Sequence, residues 1–189
     1  MKVTLFEYPT TNDWLAVKKR ALVTIGKDSN VPPDPDWRHS ILEARHSPIR
    51  RLWFGFYLEG IPSWVATHLA RHVHAQPYIR SQRNDRQADY DRNKAPQDAP
   101  VDMILDVNGE ELQVLCNKRL CGQASPETRD IVARMANCVR KLYPKEFEGL
   151  LVPMCKYHGG VCHEMKPCKE EWRPLTDFFK DSDRVLTDI

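Results

Sequence analysis

From Lys2 to Tyr8 apolar and polar residues alternate, through Val3, Leu5 and then Phe6 and Tyr8, which predicts a short strand. Thr11 or Asn12 can cap a helix running to about Ile25, with Trp14, Leu15, Val17, Leu22 and Val23 at its apolar positions. Residues 30–36 carry three prolines and form a loop, after which Asp36 caps a second helix over about 37–45. The aromatic run LWFGFYL, residues 52–58, reads as a buried strand that Gly60 breaks. Pro62 suits a helix start, and Ile61, Trp64, Val65, Leu69 and Val73 are spaced for a helix over 61–74. Residues 76–83 can form a strand, 84–100 form a polar mobile loop, and VDMILDV at 101–107 forms another strand, ended by Asn108-Gly109. Two helices follow. The first, over 110–123, has Leu112, Leu115, Cys116 and Leu120 on one face; the second has Ser125 as cap, Pro126 at its first position and Ile131, Met135, Val139 and Leu142 inward. Beyond Pro153 the apolar period is lost. The pattern predicts an α+β fold, with a small, mainly antiparallel sheet packed against helices over 1–152, and a Cys-rich tail over 153–189.

The charges nearly cancel, 28 Lys and Arg against 26 Asp and Glu, which argues against a nucleic-acid binder. No apolar run reaches the roughly 18–20 residues of a membrane span, and MKVTLFEYPTTND is not a secretory signal. The expected compartment is the cytoplasm. In that reducing setting the six cysteines suit metal binding better than disulfides.

Three clusters carry chemistry. Arg119 falls inside the apolar stripe of the 110–123 helix, as a structural ion pair, a snorkelling side chain or an anion clamp. THLARHVHAQPYIRSQR, residues 67–83, holds three histidines and three arginines; Ser81 and Arg83 on one strand face would suit a phosphate, although a solvated basic face is the plainer reading. Cys155, Cys162 and Cys168, with Cys121 or His163 as a fourth donor, are soft ligands spaced for one zinc, or are simply reduced thiols. No phosphate loop, Ser-His-Asp pattern or evident nucleophile occurs.

Together these segments resemble the flavin-dependent thymidylate synthases, the ThyX family. ILEARHSPIRRLWFGFYLEGIPSWVATHLAR, residues 41–71, looks like that family's helix, His-Ser turn, aromatic strand and next helix. Residues 71–83 overlay its R-H-R-x-x-S-x-N-E-x-S-x-R motif, NKRLCGQASPETR at 117–129 its later Arg-Leu-Cys segment, and the Cys-rich tail is similar to tails of some members. The resemblance implies a homotetramer, with sites between subunits, that methylates dUMP at C5. The carbon comes from methylenetetrahydrofolate and the hydride from FAD reduced by NADPH. By position it implies that Arg71, Ser81 and Arg83 hold the nucleotide, that Arg119 clamps the pyrimidine as the catalytic cation, and that His72, with His46 and Ser47, meets the flavin.

The departures fall mainly on the flavin side. Val73, Gln76, Tyr78 and Ile79 replace motif residues, Arg50 and Arg51 replace Glu-His, Ser125 stands for the usual Gln and Val114 for a frequent Asn. Only 35 residues separate Arg83 from Arg119, a shortened stretch for the family. Two alternatives follow: a flavin-independent hydroxymethylase of pyrimidine nucleotides on the same fold, and a catalytically idle nucleic-acid-binding module.

Overall fold

Alternation along two central strands decides what enters the core. In β2 (Trp53–Pro62) the side chains of Phe54, Phe56 and Leu58 are fully buried, facing Val107, Leu105 and Met103 of β4 (Pro100–Asn108). β1 (Lys2–Glu7) flanks β2 and β3 (Ala75–Ile79) flanks β4, giving one antiparallel sheet in the order β1-β2-β4-β3. The computed structural model describes residues 1–87 and 90–168, with the backbone of 173–174. The helices α1 (Thr11–Val23), α2 (Pro35–Glu43), α3 (Ser63–Ala70), α4 (Gly109–Arg119) and α5 (Pro126–Leu142) contribute to the core that covers the sheet's Phe54–Phe56–Leu58 face. The α+β fold expected from the sequence is therefore the observed one. None of the described helices is long and apolar enough to cross a membrane.

Local chemistry moves several boundaries. Thr10, not Thr11 or Asn12, caps α1, because Asp13 completes a reciprocal capping box with it: the Asp13 N–H donates to Thr10 Oγ1 at 3.4 Å and the Thr10 N–H to Asp13 Oδ2 at 2.9 Å. Asp34 rather than Asp36 caps α2, accepting the Trp37 N–H at 2.8 Å with Pro35 at the first position. Gly60 does not end β2. At φ +63° it forms a bulge between Leu58 and Ile61, and the strand continues to Pro62. α3 stops at Ala70, since Ala75 must begin β3 opposite Val107; 71–74 is a turn, and Val73 is 85% exposed instead of apolar-face. β3 ends at Ile79, and Pro77 is tolerated because β3 is an edge strand.

Trp14, Phe54, Tyr143 and Phe147 meet edge-on at one corner of the core, with Phe54 and Phe147 centroids 5.7 Å apart. A Cβ on Gly109 would lie 2.9 Å from the Ile49 carbonyl oxygen, so this glycine lets the start of α4 seat on the 3₁₀ turn Ser47–Arg51. The tail returns to the body. α6 (Met154–Tyr157) places the Tyr157 hydroxyl where it donates to the Glu43 carbonyl at 2.9 Å, and β5 (Val161–Cys162) pairs in parallel with β6 (Arg173–Pro174). Residues 169–172 and 175–189 of the expected tail, and 88–89 of the expected loop, lie outside the described residues.

The opposite sheet face carries Tyr57, Ile104 and Tyr78 in register across β2, β4 and β3. Asp106 sits on this face beside Gly55 and the Phe6 ring, and its Oδ1 is buried with no partner among the described residues. Burial, with Glu7 nearby, raises its pKa above the usual carboxylate range. A raised carboxyl pKa means that the folded state prefers the protonated form, so its favourable contribution is present at acid pH and lost as pH rises through the folded pKa. Asp106→Asn is expected to raise the melting temperature at neutral pH and to melt with the wild type below the carboxylate range; calorimetry across pH checks both.

Candidate functional site

α4 is the element that assembles the site. Asn108 caps it, its Oδ1 accepting the N–H groups of Glu110 and Glu111 at 3.1 and 2.9 Å. Leu112, Leu115 and Cys116 anchor it in the core. The first turn of the helix then carries the buried Glu111 and its last turn the half-buried Arg119. Burial pushes the Cys116 thiol up to about 12, so it stays protonated and is no nucleophile.

Arg119 is the last residue of α4 and half-buried. Its Nε donates to His72 Nε2 at 3.0 Å, and its Nη2 donates to the His68 carbonyl, in the last turn of α3, at 3.0 Å. This satisfies a helix-end carbonyl and places a cation where two helix dipoles are negative. Nη1 has no protein hydrogen-bond partner among the described residues. Desolvation by burial, and then the nearby Arg71 guanidinium, lower its pKa from the ordinary value; a guanidinium nevertheless remains charged. Arg119 lines a cavity of about 380 Å³ with Arg71, His72, His74, Glu111 and Lys118. Five of these six are lysine, arginine or histidine on the chain's own turn and helix, so the cavity suits an anion.

His72 was expected beside His68 on one helix. It lies instead in the turn after α3, 7% exposed, with Nδ1 2.7 Å from Glu111 Oε1. Glu111 was not singled out from the sequence. Its signal was present: like Arg119 it is a charged residue on the stripe of Leu112 and Leu115, one turn before Leu115.

Arg71 reaches the cavity; Ser81 and Arg83 do not line it. They follow β3 in a loop, not on a strand face: the Arg83 N–H donates to Ser81 Oγ at 3.3 Å, and the exposed Arg83 guanidinium is engaged by Asp85 at 2.9 and 2.7 Å. His46 and Ser47 are exposed at the start of the 3₁₀ turn. His46 lines a separate hollow of about 260 Å³ with Trp37 and Ala44. Arg50, in that same turn, pairs with Glu110 in the first turn of α4.

Cys121, Cys155, Cys162 and Cys168 do come together around a cavity of about 120 Å³, which His163 also lines. Cys168 packs on Gly122, where a Cβ would lie 2.9 Å from its Sγ. Among the described residues, however, no group of three or more His, Cys, Asp or Glu side chains is placed to hold a metal ion. The convergence of the thiols is present; the zinc geometry expected of them is not.

No protein-family model and no curated protein matches the sequence. Among solved structures the chain is similar to thymidylate synthase X (ThyX) from Helicobacter pylori with FAD and dUMP, with a TM-score of 0.65 at 16% identity over 80% of this chain and 99% of that one. A second structure of flavin-dependent thymidylate synthase ThyX from Helicobacter pylori, complexed with FAD and dUMP, gives 0.63 at 15% identity over 79% and 99%. At this identity the likeness shows the fold: the chain has a ThyX-like architecture.

Proposed function

We propose that the chain binds dUMP and transfers a one-carbon unit from methylenetetrahydrofolate to C5 of its uracil, as a ThyX-like thymidylate synthase. The observation that carries this reading is Arg119. A guanidinium tethered along one edge by His72 and His68, at a cavity lined by further cations, is a preorganised partner for an anionic ring. Loss of the uracil N3 proton to solvent puts negative charge on the pyrimidine oxygens and makes C5 more nucleophilic toward the methylene carbon, and a fixed donor in a low-dielectric pocket stabilises that anion without reorganising. No nucleophile from the protein is required.

Ser81 and Arg83 would take the phosphate. They lie outside the Arg119 cavity within one chain, which supports a site shared between subunits of a homo-oligomer, a tetramer by resemblance. Light scattering should then give a multiple of 22.0 kDa. Arg83 is exposed and its guanidinium is engaged, among the described residues, only by its neighbour Asp85, so Arg83→Ala is expected to leave the melting temperature unchanged. It should weaken dUMP binding by about 10- to 100-fold, because a charge-assisted hydrogen bond is lost, while deoxyuridine binding stays the same. Calorimetric titration with both ligands separates these outcomes.

FAD, reduced by NADPH, would supply the hydride that completes a methyl group. Among the described residues of one chain, those expected at the flavin do not come together as a cradle for it. Both ring nitrogens of His72 are engaged inside the protein, His46 lines a different hollow, and Ser47 lines neither. The same observation favours one second reading, in which water rather than hydride adds to the C5 methylene and the product is the hydroxymethyl nucleotide. The absorbance spectrum of the purified protein and mass spectrometry of the product from dUMP and methylenetetrahydrofolate decide between them. A protein that does not bind dUMP at all overturns both.

A further inference from the structure

Glu111 is 4% exposed and has a role that the reaction itself does not require. A buried carboxylate is costly without partners, and it has two. The first is the N-terminus of α4, since Glu111 lies in that helix's first turn, where the dipole favours negative charge. The second is His72 Nδ1, 2.7 Å from its Oε1. On the other side of the ring, His72 Nε2 lies 3.0 Å from Arg119 Nε.

These contacts allow one proton assignment. An arginine N–H can only donate, so Nε2 must offer its lone pair. The ring proton then sits on Nδ1 and is donated to Glu111. With the proton on Nε2 instead, two N–H groups would face each other and Arg119 would keep only the His68 carbonyl as an anchor.

We propose that Glu111 is a positioning residue for Arg119: it holds His72 in the Nδ1–H tautomer, and the bare Nε2 fixes the plane of the guanidinium at the cavity. The effect on nucleotide binding rests on the function proposed above; the tautomer does not.

The test uses the full chain labelled with ¹⁵N-histidine. In the wild type at neutral pH, nitrogen–proton correlation spectra should show His72 protonated at Nδ1 and bare at Nε2. Glu111→Ala should mix or reverse the tautomers and weaken dUMP binding on the order of tenfold. Glu111→Gln keeps an oxygen acceptor, so it should restore the Nδ1–H form and most of the affinity. In an Arg119→Ala background, Glu111→Ala should cost no further affinity. Three results overturn the proposal: Nε2–H in the wild type, an unchanged tautomer in Glu111→Ala, or a Glu111→Ala loss that persists undiminished without Arg119. If the wild type does not bind dUMP, the nucleotide reading fails, and the spectra still decide the role of Glu111 at His72.

Discussion

Arg119→Lys is expected to lower turnover of dUMP by about two to three orders of magnitude while moving the melting temperature by only a few degrees. The substitution keeps a positive charge but not the planar fork. A single ammonium cannot donate along one edge to His72 Nε2 and the His68 carbonyl and still present a second edge to a pyrimidine. The site also disfavours charge through burial and Arg71, and an ammonium loses protons there more readily than a guanidinium. The fold should tolerate the change because Arg119 is half-buried at the end of α4, whose grip on the core comes from Leu112, Leu115 and Cys116. Turnover, dUMP affinity and melting temperature must be measured together. A variant that melts far below the wild type and binds dUMP normally when cold would make Arg119 a structural tie between α3 and α4, and the proposed site would be wrong.

Phe54→Ala should produce the largest loss of stability, about 3–5 kcal/mol. Phe54 is fully buried near the start of β2 and meets Tyr143 and Phe147 edge-on, so truncation opens a cavity among rigid aromatic rings that cannot collapse into it. Since domains are typically stable by only about 5–15 kcal/mol, this one change takes a large share of the total. Urea denaturation should show a lower midpoint with an unchanged slope. A loss below about 1 kcal/mol would mean that the corner repacks and that the aromatic cluster does not organise the fold.

The sequence alone determined whatever depends on neighbours along the chain. Ser125, Pro126 and Glu127 announced α5, and the helix runs Pro126–Leu142 as those signals imply, because caps and periodicity are properties of consecutive residues. The strand patterns likewise placed all four members of the sheet, and the misplaced apolar-face cation Arg119 marked the helix that carries the site. The remaining errors are those of competition between local and distant interactions. A helix through His74 satisfies the local apolar spacing, but Ala75 has to pair with Val107, and that demand ends α3 four residues early and turns His72 toward α4. Ser81 and Arg83 could share a strand face by spacing, yet the ladder stops at Ile79 and Asp85 captures the guanidinium. Only the tertiary structure could join Glu111 to His72, 39 residues apart, and His72 to Arg119, 47 residues apart. Such contacts are set by how two helices cross over a sheet, and no spacing rule along one chain encodes that.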